Sequence, residues 1–344
     1  MGPRTARNLV LTLLVAAAGG SLFAWLGLPA AWLTGSMVAT VAAVFAGLPV
    51  GLPARLRDAA FVLLGISMGS SATPESVAQM QAWPGSIALL GLAVLLTMLA
   101  AAVYLERVHG WDRVTARCAS IPGAFSAVVV IAAGSSADLP RVVLAQSVRI
   151  FVLVACMPSI LAGTGTGTSA GAAPAVPAVT NTPLEMVSLL VLSAALATAL
   201  SHLRVPAGAL LGAMIVSALL HATGLVHGRF PPALVVAGFL ATGAVIGSRF
   251  RGTSLALLRR TIPAALGSVL LALAISAAIA GLGTALLELP FGQLWLAYAP
   301  GGVEAMAAMA LALKLDPAFV GAHHVLRILG LNLISPVWLR KRHL

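Results

Sequence analysis

Apolar segments follow one another along almost the whole of this chain, and nothing constrains its fold more. They lie near 9–27, 30–48, 58–71, 85–105, 119–134 and 142–162, then near 184–202, 206–222, 232–248, 262–287, 294–313 and 318–338. Runs of about 20 apolar residues match helices crossing a bilayer, so the chain reads as an all-α polytopic membrane protein. Only 8% of its 344 residues are charged and 60% are hydrophobic, against about 25% charged in a soluble domain. No stretch is long and polar enough to fold as a separate soluble domain. Arg4 and Arg7 followed by Leu9–Ala18 resemble a signal peptide, but the apolar run continues through Trp25–Leu28 and reads as a retained first span.

The segments repeat. A shift of 177 aligns Pro29, Leu33, Gly35, Met37, Gly47 and Leu48 with Pro206, Leu210, Gly212, Met214, Gly224 and Leu225. One inserted residue near Pro53 changes the shift to 178, which then pairs Gly65/Gly243, Gly69/Gly247, Pro122/Pro300, Gly123/Gly301, Asp138/Asp316 and Arg149/Arg327. Residues 1–162 therefore form one membrane repeat and 184–344 a second, with the Gly/Thr/Ala/Pro-rich stretch 163–183 as a flexible linker.

Charge decides the orientation of the repeats. The net charge of +11 is carried in short loops, which serves membrane topology rather than nucleic acid. If all twelve segments cross, Arg141, Arg204, Arg249, Arg251, Arg259, Arg260 and Lys314 fall outside, seven basic residues against eleven inside. If the fifth segment of each half is re-entrant, each half crosses five times and the second half is inverted. Then Arg4, Arg7, Arg55, Arg57, Arg107, Arg113, Arg117, Arg141, Arg204, Arg249, Arg251, Arg259, Arg260, Arg340, Lys341 and Arg342 are inside, sixteen in all, and only Arg229 and Lys314 are outside. The loop Arg249–Arg260 is basic, while its counterpart Ser71–Gln81 has no Lys or Arg, as inverted repeats require. The expectation is about ten transmembrane helices, two re-entrant or broken helical elements, and both termini in the cytoplasm.

The polar residues inside apolar segments are the candidate site. Pro122-Gly123 and Pro300-Gly301-Gly302 break a helix in each half. Irregular backbone at membrane depth survives only where protein or a watery cavity covers it, and inverted-repeat transporters place substrate and ion sites at such breaks. Around the second break lie Glu304, His323, His324, Arg327 and Asn332; around the first, Ser126, Gln146 and Arg149. An ion pair between Glu304 and Arg327 would lower the burial cost of both. His323 and His324 could carry a proton near neutral pH. Asp138 and Asp316 precede the sixth segments as N-caps, and the GxxxG patterns Gly65–Gly69, Gly208–Gly212 and Gly243–Gly247 read as helix packing. Cys118 and Cys156 have no partners at metal-ligand spacing, and no nucleotide-binding loop, zinc motif or catalytic triad is present. Neither a cofactor, a metal nor enzymatic activity is expected.

Three stretches carry a resemblance. Pro29-Ala-Ala-Trp-Leu-Thr-Gly-Ser-Met37, its echo Pro206–Met214, and Ala299-Pro-Gly-Gly-Val-Glu-Ala-Met306 with His323-His324-Val-Leu-Arg327 resemble the AbrB-like bacterial membrane proteins. The resemblance spans both repeats. It implies a duplicated domain in the bacterial inner membrane, and brings the labels of gene-expression regulator and ammonia monooxygenase. No DNA-binding module and no metal or flavin ligand set accompanies those labels here. The first repeat departs from Gly-Gly-x-Glu, having Ala124 and Ser126. The residues point to a secondary transporter of a small anionic solute, driven by an ion or proton gradient. The alternative is a membrane regulator acting through a partner rather than on nucleic acid. Lipid, a small-molecule or ion substrate and a second copy of the chain are the expected partners.

Overall fold

The duplication is visible in where helices begin and end. In the computed structural model, residues 3–70, 83–123, 125–165, 182–226, 228 and 230–339 are described. The linker residues 166–181 and Ala124 lie outside that set, as does the side chain of Ser126. The described helices are α1 (Pro3–Trp25), α2 (Ala31–Phe45), α3 (Ala54–Gly69), α4 (Trp83–Arg107), α5 (Arg113–Ser120), α6 (Phe125–Ala133) and α7 (Leu139–Gly163) in the first half. The second half supplies α8 (Pro183–His202), α9 (Gly208–Ala222), α10 (Pro232–Gly247), α11 (Leu255–Leu287), α12 (Phe291–Tyr298), α13 (Val303–Ala312) and α14 (Pro317–Trp338). Seven of the described helices are long and apolar enough to cross a membrane: α1, α4, α7, α8, α10 with its 3-10 extension, α11 and α14. Helices α2 and α9 are apolar but have 15 residues each, a length of about 22 Å against a hydrocarbon core of about 30 Å.

Equivalent positions share unusual backbone. Ala30 and Ala207 cap α2 and α9 in the left-handed region, at φ 50° and 54°, a conformation few non-glycine residues adopt. Each of these helices closes on a glycine of positive φ, Gly47 and Gly224. The closing bonds also match: Leu48 N–H donates to the Ala43 carbonyl, and Leu225 N–H to the Leu220 carbonyl.

The chain forms two compact units, and neither coincides with a sequence half. The first comprises Met1–Gln81, Val154–Arg251 and Glu304–Gly321; the second comprises Ala82–Leu153, Gly252–Val303 and Ala322–Leu344. In the first unit α2 packs on α10 and α3 on α9, contacts that exchange when the halves are exchanged. Small residues set their closeness. A Cβ on Gly65 would lie 2.8 Å from the Ala213 Cβ, and one on Gly69 2.6 Å from the Ser217 Cβ. In the other pair, a Cβ on Gly243 would meet the Leu33 carbonyl at 2.5 Å and one on Gly247 the Met37 carbonyl at 2.8 Å. Thus the expected packing role of these GxxxG motifs is what the backbone spacing requires. Ser217 adds a buried hydrogen bond from its hydroxyl to the Ile66 carbonyl, 2.7 Å.

In the second unit α4 packs along α11, its counterpart from the other half, and each then meets a short helix, α5 or α12. Trp295 of α12 fastens to α11 by donating its indole N–H to the Ser276 hydroxyl at 3.1 Å. The expected N-caps are present: Asp138 accepts from Arg141 N–H at 3.1 Å, and Asp316 from Ala318 and Phe319 N–H at 2.9 and 3.1 Å. Asp316 lies just outside α14, where burial pushes its carboxyl above the usual range against those two bonds.

Replacing Gly65 or Gly243 by leucine should lower stability by about 1–3 kcal/mol, the ordinary cost of overpacking. Thermal unfolding of the purified protein in detergent checks this. Equal losses at the two sites are expected, because their neighbours are equivalent.

Candidate functional site

Each broken helix ends on carbonyl groups without a helical partner, and an arginine from the following long helix supplies the donors. After α5, the backbone breaks at Ile121-Pro122-Gly123, with Gly123 at φ 80°. Arg149 of α7 donates through Nη2 to the Ile121 carbonyl at 2.8 Å and through Nη1 to the Ala119 carbonyl at 3.5 Å. After α12, the break is Ala299-Pro300-Gly301-Gly302. Arg327 of α14 donates through Nη1 to the Ala299 carbonyl at 2.7 Å and through Nη2 to the Gly301 carbonyl. Ile121 and Ala299 are equivalent under the repeat, so the two arginines do the same work. A cation at the carbonyl end of a helix is also favoured by its dipole.

A second side chain braces each break. Gln146 donates from Nε2 to the Ile121 carbonyl at 2.9 Å and lies within 3.4 Å of the Cys118 and Ala119 carbonyls. Its amide oxygen accepts from Arg149 Nη2. The equivalent residue is His324, whose Nε2 donates to the Leu296 carbonyl at 3.0 Å. That bond fixes the neutral tautomer with its proton on Nε2 and leaves buried Nδ1 without a hydrogen-bond partner.

The two breaks meet within the second unit. A Cβ on Gly123 would lie 2.7 Å from the Gly301 carbonyl oxygen and 2.9 Å from the Arg327 guanidinium carbon. Arg149 is 6% exposed and Arg327 3%, and they are close enough for their charges to repel. Burial and, for Arg327, the charge of Arg149 dominate the electrostatics of the two guanidiniums, and among the described residues neither has a carboxylate ion-pair partner. Nε of each arginine is buried without a hydrogen-bond partner. The result is a buried, doubly cationic centre framed by carbonyl oxygens and two Pro-Gly breaks.

The ion pair expected between Glu304 and Arg327 is therefore corrected: backbone carbonyls hold Arg327. Glu304 sits in the first turn of α13, where the helix dipole favours a carboxylate. Its electrostatic partner in the first unit is Arg249, in the middle of the 3-10 turn after α10. Arg249 entered the sequence reading only as a loop charge. Asn332 is exposed on α14 and does not join the buried group. Gly302 is half-buried at the second break, and Ser126 falls in α6 with its side chain outside the described set.

His323 makes a separate cluster. It is fully buried, with Nε2 2.7 Å from the Ser86 hydroxyl of α4. The Trp83 ring meets it edge-on at 5.8 Å and the Tyr298 ring lies at 6.4 Å. Tyr298 donates its hydroxyl to the Ser86 carbonyl at 3.0 Å. Ser86 and Trp83 lie in an otherwise apolar helix, and nothing in their spacing marked them.

Gly123→Ala should cost about 1–2 kcal/mol for the left-handed backbone alone, and more because the new methyl meets Arg327. Gly91→Ala, at an open position of α4, should be neutral or stabilising. Thermal melts of the two proteins side by side separate a specific break from general helix tolerance.

The model of a family described as transition state regulatory protein AbrB matches residues 32–343. An Escherichia coli (strain K12) protein, which its name AbrB presents as a candidate regulator, is 28% identical over 317 residues, covering 90% of this chain and 89% of its own. The uncharacterized protein YhjN of Bacillus subtilis (strain 168) is 26% identical over 355 residues, covering 96% of this chain and 91% of its own. With its family model matched across nearly all of its length, the chain belongs to the AbrB family.

Proposed function

We propose that the protein is a secondary transporter of a small anionic solute in the bacterial inner membrane. Its two repeats are inverted, each with five crossings and one re-entrant hairpin, and both termini are cytoplasmic. One observation carries this reading: Arg149 and Arg327 are buried beside the meeting of two broken helices, and among the described residues no ion pair neutralises either of them. Charged groups at membrane depth are costly, and unless they are paired they mark a substrate or ion path. An anion at this centre would offset the repulsion between the guanidiniums and take the buried Nε–H groups as donors.

Gene regulation through a partner rests on the names of the family and of one relative. The basic stretch Arg249–Arg260 is the contact such a partner would use. Arg249 engages Glu304 electrostatically and Arg251 packs against Gly51, which leaves the exposed Arg259 and Arg260 for it.

Purified protein should gain thermal stability from a subset of acetate, lactate, succinate, phosphate and sulfate, and none from glucose. In liposomes it should exchange the stabilising anion across the membrane, and Arg149→Gln should weaken that binding at least tenfold. If none of these anions binds or moves, and Glu304→Gln changes nothing, the transporter reading fails. For topology, single cysteines at Ser76, Thr168 and Thr253 replace the native thiols; the first two positions lie outside the described residues. Labelling of S76C and T168C from the periplasm, with T253C protected until the membrane is opened, is the expected pattern. A shared side for S76C and T253C rules out inversion.

A further inference from the structure

The two half-sites have diverged in their capacity to titrate, and the divergence points to the coupling ion. Where the first repeat has Ala145 and Gln146, the second has His323 and His324. Gln146 stays neutral at any accessible pH, and His324 is held in one tautomer by the Leu296 carbonyl, which accepts but cannot donate. Protonating His324 would add a charged, unpartnered N–H to a buried position beside Arg327. His323 is differently placed. Its Nε2 faces the Ser86 hydroxyl, which can donate to the ring, or accept from it while donating to the Trp83 carbonyl at 3.0 Å. That bond therefore survives a change in the protonation of the imidazole. The Trp83 and Tyr298 rings beside it suit a cation as well as a neutral ring.

We propose that His323 is the proton-binding group of the transporter, and that a proton on it binds together with an anion at Arg327. This rests on the transporter reading above and names its coupling ion. Among the groups meeting His323 are Ser86 and Trp83 from α4 and Tyr298 from α12. On its own helix His324 is adjacent and Arg327 is one turn ahead; Asp316 precedes the first residue of that helix. Residues four apart on a helix are neighbours about 6 Å apart. Arg327 thus opposes a charge on His323 while its own is uncompensated, and opposes it less once an anion is bound. By linkage the anion tightens proton binding and the proton tightens anion binding by the same factor. Two ligands that bind together and cross together make a proton–anion symporter. The proton passes to His323 from the aqueous side open at the time and leaves to the other; no bond beyond N–H is made or broken.

The test uses full-length protein in detergent, labelled at histidine Cε1, with His323→Gln assigning the resonance. The His323 signal is expected to titrate, and to do so at a pH at least half a unit higher when the stabilising anion of the panel is added. In liposomes, His323→Gln should lose at least tenfold in uphill uptake driven by an inward proton gradient, and its anion binding should no longer vary with pH. A His323 signal that does not titrate, or titrates identically with and without bound anion, overturns the inference while the transporter reading stands. Uphill uptake that survives in the glutamine variant overturns it as well. If no panel anion stabilises the protein or crosses the membrane, the transporter reading itself falls and takes the coupling with it.

Discussion

Everything at the centre of this protein depends on an arginine reaching back to the carbonyl end of a broken helix. A helix that stops inside hydrocarbon leaves carbonyls that no water satisfies, each costing several kcal/mol. A guanidinium offers five N–H donors in a planar fork and can serve two carbonyls at once. Arg149 and Arg327 do this at equivalent breaks, 28 residues downstream of Ile121 and Ala299. The solution is not neutral. Carbonyl oxygens solvate a guanidinium but bring no charge, so each cap installs a buried positive charge that only an anion can cancel. One interaction thus explains how the breaks persist, and it is the basis on which an anion is proposed at this centre.

The features that repetition and spacing specify were legible in the sequence. Gly65, Gly69, Gly243 and Gly247 fix close helix approach because a four-residue spacing puts them on one face, and the equivalent partners Leu33, Met37, Leu210 and Met214 repeat at the same offset. Pro122 and Pro300 mark the breaks because proline followed by glycine cannot continue a helix. Asp138 and Asp316 mark helix starts. Partners were not legible. Arg327 was matched with Glu304 by complementary charge, yet a backbone carbonyl has no residue type to search for, and Ala299 looks like any other alanine. Ser86 gave no signal for the same reason: a lone serine in an apolar helix acquires a role only when Tyr298 and His323 are seen beside it. The compact units were also hidden. Each draws segments from both halves, because α2 and α3 bury their small-residue faces on helices of the other repeat rather than on their own.

Duplication leaves two copies of one frame, and the copies need not stay chemically alike. The parts that brace the breaks are retained in kind: arginine with arginine, and an amide or ring N–H toward the Cys118 and Leu296 carbonyls. The parts that differ are those that change charge. Ala145 and Gln146 cannot bind a proton near neutrality, whereas His323 and His324 can in principle, and of these only His323 has a hydroxyl partner able to donate or accept. In the proposed symporter, symmetry in the brace with asymmetry in the titratable groups lets a proton on His323 alter the field at Arg327 while leaving the structural role of Arg149 untouched. On that proposal the pair of arginines holds the frame while its occupancy responds to protons through one half alone.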